Sequence, residues 1–132
     1  MLAVEAATAS PPARRSVRFC EQINDAALDA ASDISEGFAR YYPAEFARFL
    51  DYALSSLAEV RRRAEAGYRR GLFSIDHTIN ILHLWARVDR AVRGLRAYLW
   101  TVKKEDLPPR PVRPKLPHPQ RPRRGTGARH AR

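Results

Sequence analysis

The sequence predicts an all-α protein, an antiparallel up-and-down helical bundle with three clear helices. Three observations carry that reading. Apolar residues recur at spacings of three and four along three separate stretches. Short turn signals divide those stretches, which makes consecutive helices antiparallel neighbours. No segment shows strand-like alternation, an internal repeat or a glycine-rich phosphate loop. The expected organisation is residues 1–15 as an irregular or short-helical lead, 16–106 as the bundle and 107–132 as a basic tail.

In the lead, Leu2 to Ala9 has room for a turn or two of helix, which Pro11 and Pro12 are expected to stop. From Val17 the period becomes helical through Cys20, Ile23, Ala27, Ala30, Ile34 and Phe38. Asp25, Asp29 and Asp33 repeat at four on another face, to be solvated or to meet a basic neighbour. Gly37 lies near the end of this helix, where glycine tolerates departure from helical geometry. Tyr42-Pro43 opens the next helix: proline suits its first position, and Glu45 complements the positive dipole end. Tyr42 is a poor N-cap, because its hydroxyl cannot reach back to the first N–H groups. The apolar stripe then runs Phe46, Phe49, Leu50, Ala53, Leu54, Leu57, Val60, Ala64 and should end near Arg70 with Gly71 in the C′ position. Ser74 caps a third helix whose apolar positions include Ile75, Ile79, Leu82, Trp85, Val92, Leu95 and Leu99.

Charge is unevenly spread. The formal net charge is +10, but residues 107–132 hold eight Lys and Arg without an acid, which leaves +2 for the rest. That tail has seven prolines and is expected to be disordered or partly polyproline II. Cys20 is the single cysteine, so no intrachain disulfide forms, and a reducing cytoplasm is the expected location. The first fifteen residues lack the pattern of a secretory signal, and no stretch approaches the ~18 apolar residues of a membrane span.

The stretch Asp33-Ile34-Ser35-Glu36-Gly37-Phe38-Ala39-Arg40 resembles the Asn-Ile-Ala-Glu-Gly-Phe/Tyr-Gly/Ala-Arg motif of the four helix bundle protein family. This family includes proteins encoded by intervening sequences of bacterial large-subunit ribosomal RNA genes and the accessory variability protein of diversity-generating retroelements. Glu45-Phe46-Ala47-Arg48-Phe49-Leu50 and Ser56-Leu57-Ala58-Glu59-Val60 are similar to its next two blocks, in order and at the right spacing. The resemblance covers about residues 19–103. It departs in two places: the family's long first helix is absent, shortened or supplied by another subunit, and the Arg- and Pro-rich tail is an addition. The resemblance implies a ring-like homo-oligomer, a pentamer, without enzymatic activity. In the retroelement branch it also implies binding to nucleic acid and a reverse transcriptase.

Glu36, Arg40, Glu45 and Arg48 flank the turn between the first two long helices, where they are expected to form ion pairs that hold the two helices and their oligomeric neighbours in register. Metal and cofactor chemistry finds little footing. His77 and His83 fall about 240° apart on a helix, and no Glu-x-x-His occurs. Cys20 sits on an apolar stripe, as core rather than thiolate. No residue set predicts an enzyme, and no cofactor is expected. The candidate nucleic-acid contacts are Arg61, Arg62, Arg63, Arg69, Arg70, Arg87 and Arg90 in the bundle and Arg110, Arg113, Lys115, Arg121, Arg123 and Arg124 in the tail. Two readings remain. One is an oligomer that binds RNA or DNA non-specifically through its basic surface and tail. The other is a scaffold that recruits a protein such as a reverse transcriptase, its charge incidental.

Overall fold

A computed structural model describes residues 1–110. The order expected for the tail, together with Arg113, Lys115, Arg121, Arg123 and Arg124, lies outside the described residues. Five helices form: α1 Leu2–Thr8, α2 Pro11–Arg14, α3 Val17–Phe38, α4 Pro43–Arg69 and α5 Ile75–Leu99, followed by one 3-10 turn at Lys104–Asp106. No strand occurs among the described residues.

The helix ends follow local chemistry. Tyr42 offers no side-chain cap to α4, and the N–H groups of Glu45 and Phe46 donate to its carbonyl instead (3.0 and 3.1 Å). At the other end Gly71 takes φ +68°. Its N–H donates to the Tyr68 carbonyl and that of Leu72 to the Gly67 carbonyl (2.9 and 2.8 Å), the two bonds of a Schellman motif. Ser74 Oγ accepts from the backbone N–H of His77 at 3.1 Å, so it caps α5 as its position predicts.

Residues 1–15 behave differently from expectation. Pro11 and Pro12 do not only stop a helix; they occupy the opening positions of α2, where a missing N–H costs nothing. Helix α1 packs on α3 and α5, while α4 packs on the same two helices from the other side. The arrangement has four corners, and α1, two turns long, stands at the fourth. It runs antiparallel to α3: Thr8 lies beside Cys20 and Asn24, whereas Met1 reaches the cavity lined by Ala30, Ala31 and Ile34. Val4, Ala7 and Ala13 are buried, so the chain's own lead closes part of the seam.

The closure is incomplete. Seven residues of helix span about 10 Å, against about 37 Å for α5. Beside Met1 and Val4 an apolar groove of about 270 Å³ stays open at this corner, lined further by Ala31, Ile34, Leu57, Trp85 and Val88. The core divides accordingly. One cluster joins Val4, Ala7 and Ala13 to Phe19, Ile23, Val60 and Phe73. The other, with Ala47, Leu50, Leu57, Val92 and Leu99, receives nothing from α1 or α2.

Gly37 has a different role from the one its position suggested. It is buried inside α3, and a Cβ there would stand 2.6 Å from Phe46 Cδ2 and 2.8 Å from Phe49 Cβ. Close approach of α3 to α4 requires glycine, not relaxed backbone geometry. Leu50 is wholly buried beside this contact. Gly37→Ala is expected to cost about 1–3 kcal/mol through overpacking. Gly94→Ala, where a Cβ meets nothing within 4 Å, is expected to gain about 0.5–1 kcal/mol from helix propensity. Thermal unfolding of the two variants should therefore move in opposite directions.

Candidate nucleic-acid interface

The arginines singled out by the sequence divide by what they touch. Arg63 is a structural tie: Nε and Nη2 donate to Glu59 Oε1 (2.8 and 2.6 Å) while Nη1 donates to Gln22 Oε1 (2.7 Å), joining α4 to α3. Arg61 pairs with Glu65 at 3.1 Å and lies 5.0 Å from the Trp85 ring. Arg70 covers Phe19 at 5.0 Å. Arg62, Arg69, Arg87 and Arg90 are exposed and have no carboxylate partner among the described residues. These four do not make one patch. Arg96 turns toward α4 to pair with Asp51, and Arg87 lies nine residues from it, roughly 180° around α5. Arg87 and Arg90 thus face away from the side that carries Arg62 and Arg69.

Within the subunit the charges flanking the α3–α4 turn do not form the expected ion pairs. Glu36, Arg40, Glu45 and Arg48 make no salt bridge with one another, and Arg40 instead lies 4.6 Å from the centroid of Phe49. The motif serves packing more than charge, through Gly37, Phe46, Phe49, Leu50 and the Leu57 carbonyl, which accepts from Trp85 Nε1 at 2.8 Å. Glu59 contributes through Arg63.

Acidic residues gather on α3. Glu21, Asp25, Asp29 and Asp33 repeat at four, and none has a cationic partner among the described residues. Partial burial, and then the neighbouring Asp29 and Glu36 charges, push the Asp33 carboxyl above its usual range. Cys20 is not set up as a nucleophile. Its thiol donates to the Ala13 carbonyl at 3.3 Å, and desolvation together with Glu21 raises its pKa. Among the described residues no group of His, Cys, Asp or Glu is placed to hold a metal ion, and no helix is long and apolar enough to cross a membrane.

The end of the bundle that carries the α3–α4 turn gathers features no sequence spacing linked. After α5 the chain folds back, and the Tyr41 hydroxyl donates to the Pro108 carbonyl. The Arg110 guanidinium stacks against Tyr41 and Tyr42, 5.6 and 5.5 Å from their centroids. Between the α4 start and the chain after α5 opens a cleft of about 490 Å³, lined by Tyr42, Glu45, Leu99, Trp100, Lys104 and Leu107.

Residues 1–94 match the family model of the 23S rRNA-intervening sequence protein. The chain belongs to that family. The match begins at residue 1, so α1 and α2 fall within the family's region, although the motifs themselves begin further along. Residues 95–132, with the end of α5 and the basic tail, lie outside it. No curated protein and no solved structure matches this family member significantly.

Two substitutions separate structural from free charges. Arg63→Ala should lower stability by about 1–2 kcal/mol, because it leaves Glu59 and Gln22 without their shared partner, whereas Arg62→Ala should stay within about 0.5 kcal/mol. Asp33 titrates in the opposite sense from a salt-bridged carboxylate. With its folded pKa raised, the native state binds the proton more tightly, so its ionisation opposes folding as pH rises. Asp33→Asn should raise the unfolding midpoint at pH 7, and the gain should fade as pH falls through the raised carboxylate pKa; thermal melts across pH 3–7 are the check.

Proposed function

We propose that this protein is a non-enzymatic homo-oligomer that binds RNA or DNA without sequence specificity through its arginine-bearing surface and basic tail. The observation that carries this reading is the set of uncommitted cations. Arg62, Arg69, Arg87 and Arg90 remain exposed without carboxylate partners among the described residues. A further eight positive charges without an acid follow in residues 107–132. Such cations release counterions from a polyanion, an interaction that needs no base readout.

The half-filled fourth corner supports self-association. A helix face with Leu84, Val88 and Leu95 partly exposed, beside an apolar groove, is buried more cheaply by another copy than by water. Assembly multiplies the charge: several subunits at +10 each form a strongly attractive surface for phosphates. The competing reading, a scaffold for a protein partner, is favoured by the same groove but leaves the free arginines without a role.

A salt titration of labelled RNA and DNA between 50 and 300 mM, with the full chain and a form ending at Lys104, tests the proposal. Full-length protein should bind with a steep log–log salt slope. Loss of eight cations should flatten it by up to about 6–7 units while leaving weaker binding by the helical surface. No binding by either form would leave the scaffold reading. Sedimentation velocity should show a species well above the 15.0 kDa of one chain.

A further inference from the structure

In the cleft at the α3–α4 end of the bundle, aromatic rings, cations and an open volume coincide. Trp100 is 58% exposed at the end of α5 and lines the cleft together with Tyr42 and Lys104. Arg110 stacks on the Tyr42 ring, and Arg113 and Lys115 follow three and five residues later in the sequence. The run of cations therefore starts at this cleft. Its volume of about 490 Å³ falls within the range of small-ligand pockets and accommodates a nucleotide.

We infer that this cleft takes an unstacked base of single-stranded nucleic acid at Tyr42 and Trp100, while Lys104 and Arg110 hold the adjoining phosphates. This rests on the nucleic-acid reading above and sharpens it to single strands, because a base can enter such a cleft only when it is not paired within a duplex. Aromatic faces accept any base, so the contact adds affinity with little sequence preference. Glu45, also at the cleft, can accept from the exocyclic amine of cytosine, adenine or guanine, which favours those bases over uracil and thymine. Ring walls with one carboxylate also suit an organic cation. Here Lys104 and Arg110 repel one, so the anionic polymer is the better fit.

The test uses the full chain, fluorescence anisotropy and a labelled 15-nucleotide oligocytidylate, with a duplex of equal length as control. Trp100→Ala should weaken single-strand binding about tenfold, Trp100→Phe should retain most of it, and Tyr42→Ala should repeat the loss from the other ring. The log–log salt slope should stay unchanged in all three, since no cation is removed, and duplex binding should change less than twofold. Three results would overturn the inference: unchanged single-strand affinity in both alanine variants, an equal loss on duplex, or a drop in sedimentation coefficient that marks the rings as a subunit contact. In each of these the salt-dependent binding of the wild type survives, so the broader proposal stands. If wild-type protein binds no nucleic acid at any salt, both fall.

Discussion

The bundle depends on how closely α3 can lie against α4 at Gly37. A side chain there would collide with the Phe46 ring and with Phe49 Cβ, so the helices meet at that point only because one of them carries a hydrogen where others carry carbon. Small residues extend the close approach, with Ala26 and Ala30 on α3 and Ala47 and Ala53 on α4 all buried. The outcome is a core made of tight backbone contact rather than bulky side chains: Ile23 and Leu50 are its largest wholly buried members. Tight contact of this kind gains dispersion energy over many atom pairs and tolerates little change in volume. The same device recurs at the other end, where Gly67 makes room for the Phe73 ring.

A lean core makes the fourth corner important. Two turns of α1 bury Val4 and Ala7 and complete one half of the bundle, and the half nearer the α3–α4 turn remains a three-helix arrangement with an apolar groove. Charge is sorted around this frame. Acids collect on α3, where they crowd one another, while arginines on α4 and α5 are partly used as ties and partly left outward. The ties between helices, Arg63 to Gln22 and Arg96 to Asp51, fix the helices in register at two levels. Arg96 and Asp51 are half-exposed, so that tie is worth more in geometry than in energy, whereas the Arg63 tie is more buried.

Much of the scaffold was legible from residue spacing. The three long helices, the Gly71 stop and the Ser74 cap all follow from local rules, because a helix end must satisfy its backbone groups with residues a few positions away. The candidate interface was less legible. Arg61, Arg62 and Arg63 are consecutive and look equivalent on paper, yet they project about 100° apart, and each meets a different neighbour: Trp85 and Glu65, solvent, and Glu59 with Gln22. Within the subunit, Glu36, Arg40, Glu45 and Arg48 do not pair with one another for a related reason. Reach along the chain does not say which way a side chain turns, and Arg40 found a ring face instead.

By itself the sequence determined the helical class, the boundaries of the three long helices, the family and the separation of a basic tail from a near-neutral body, since each depends on periodicity, capping or composition within short stretches. Tertiary structure alone decided that the first fifteen residues pack at the fourth corner of the bundle, that Gly37 serves a close helix contact, and that Trp100 and Arg110 come to lie near Tyr42. Those outcomes rest on contacts between residues dozens of positions apart, where packing of whole helices fixes distances that no local rule encodes.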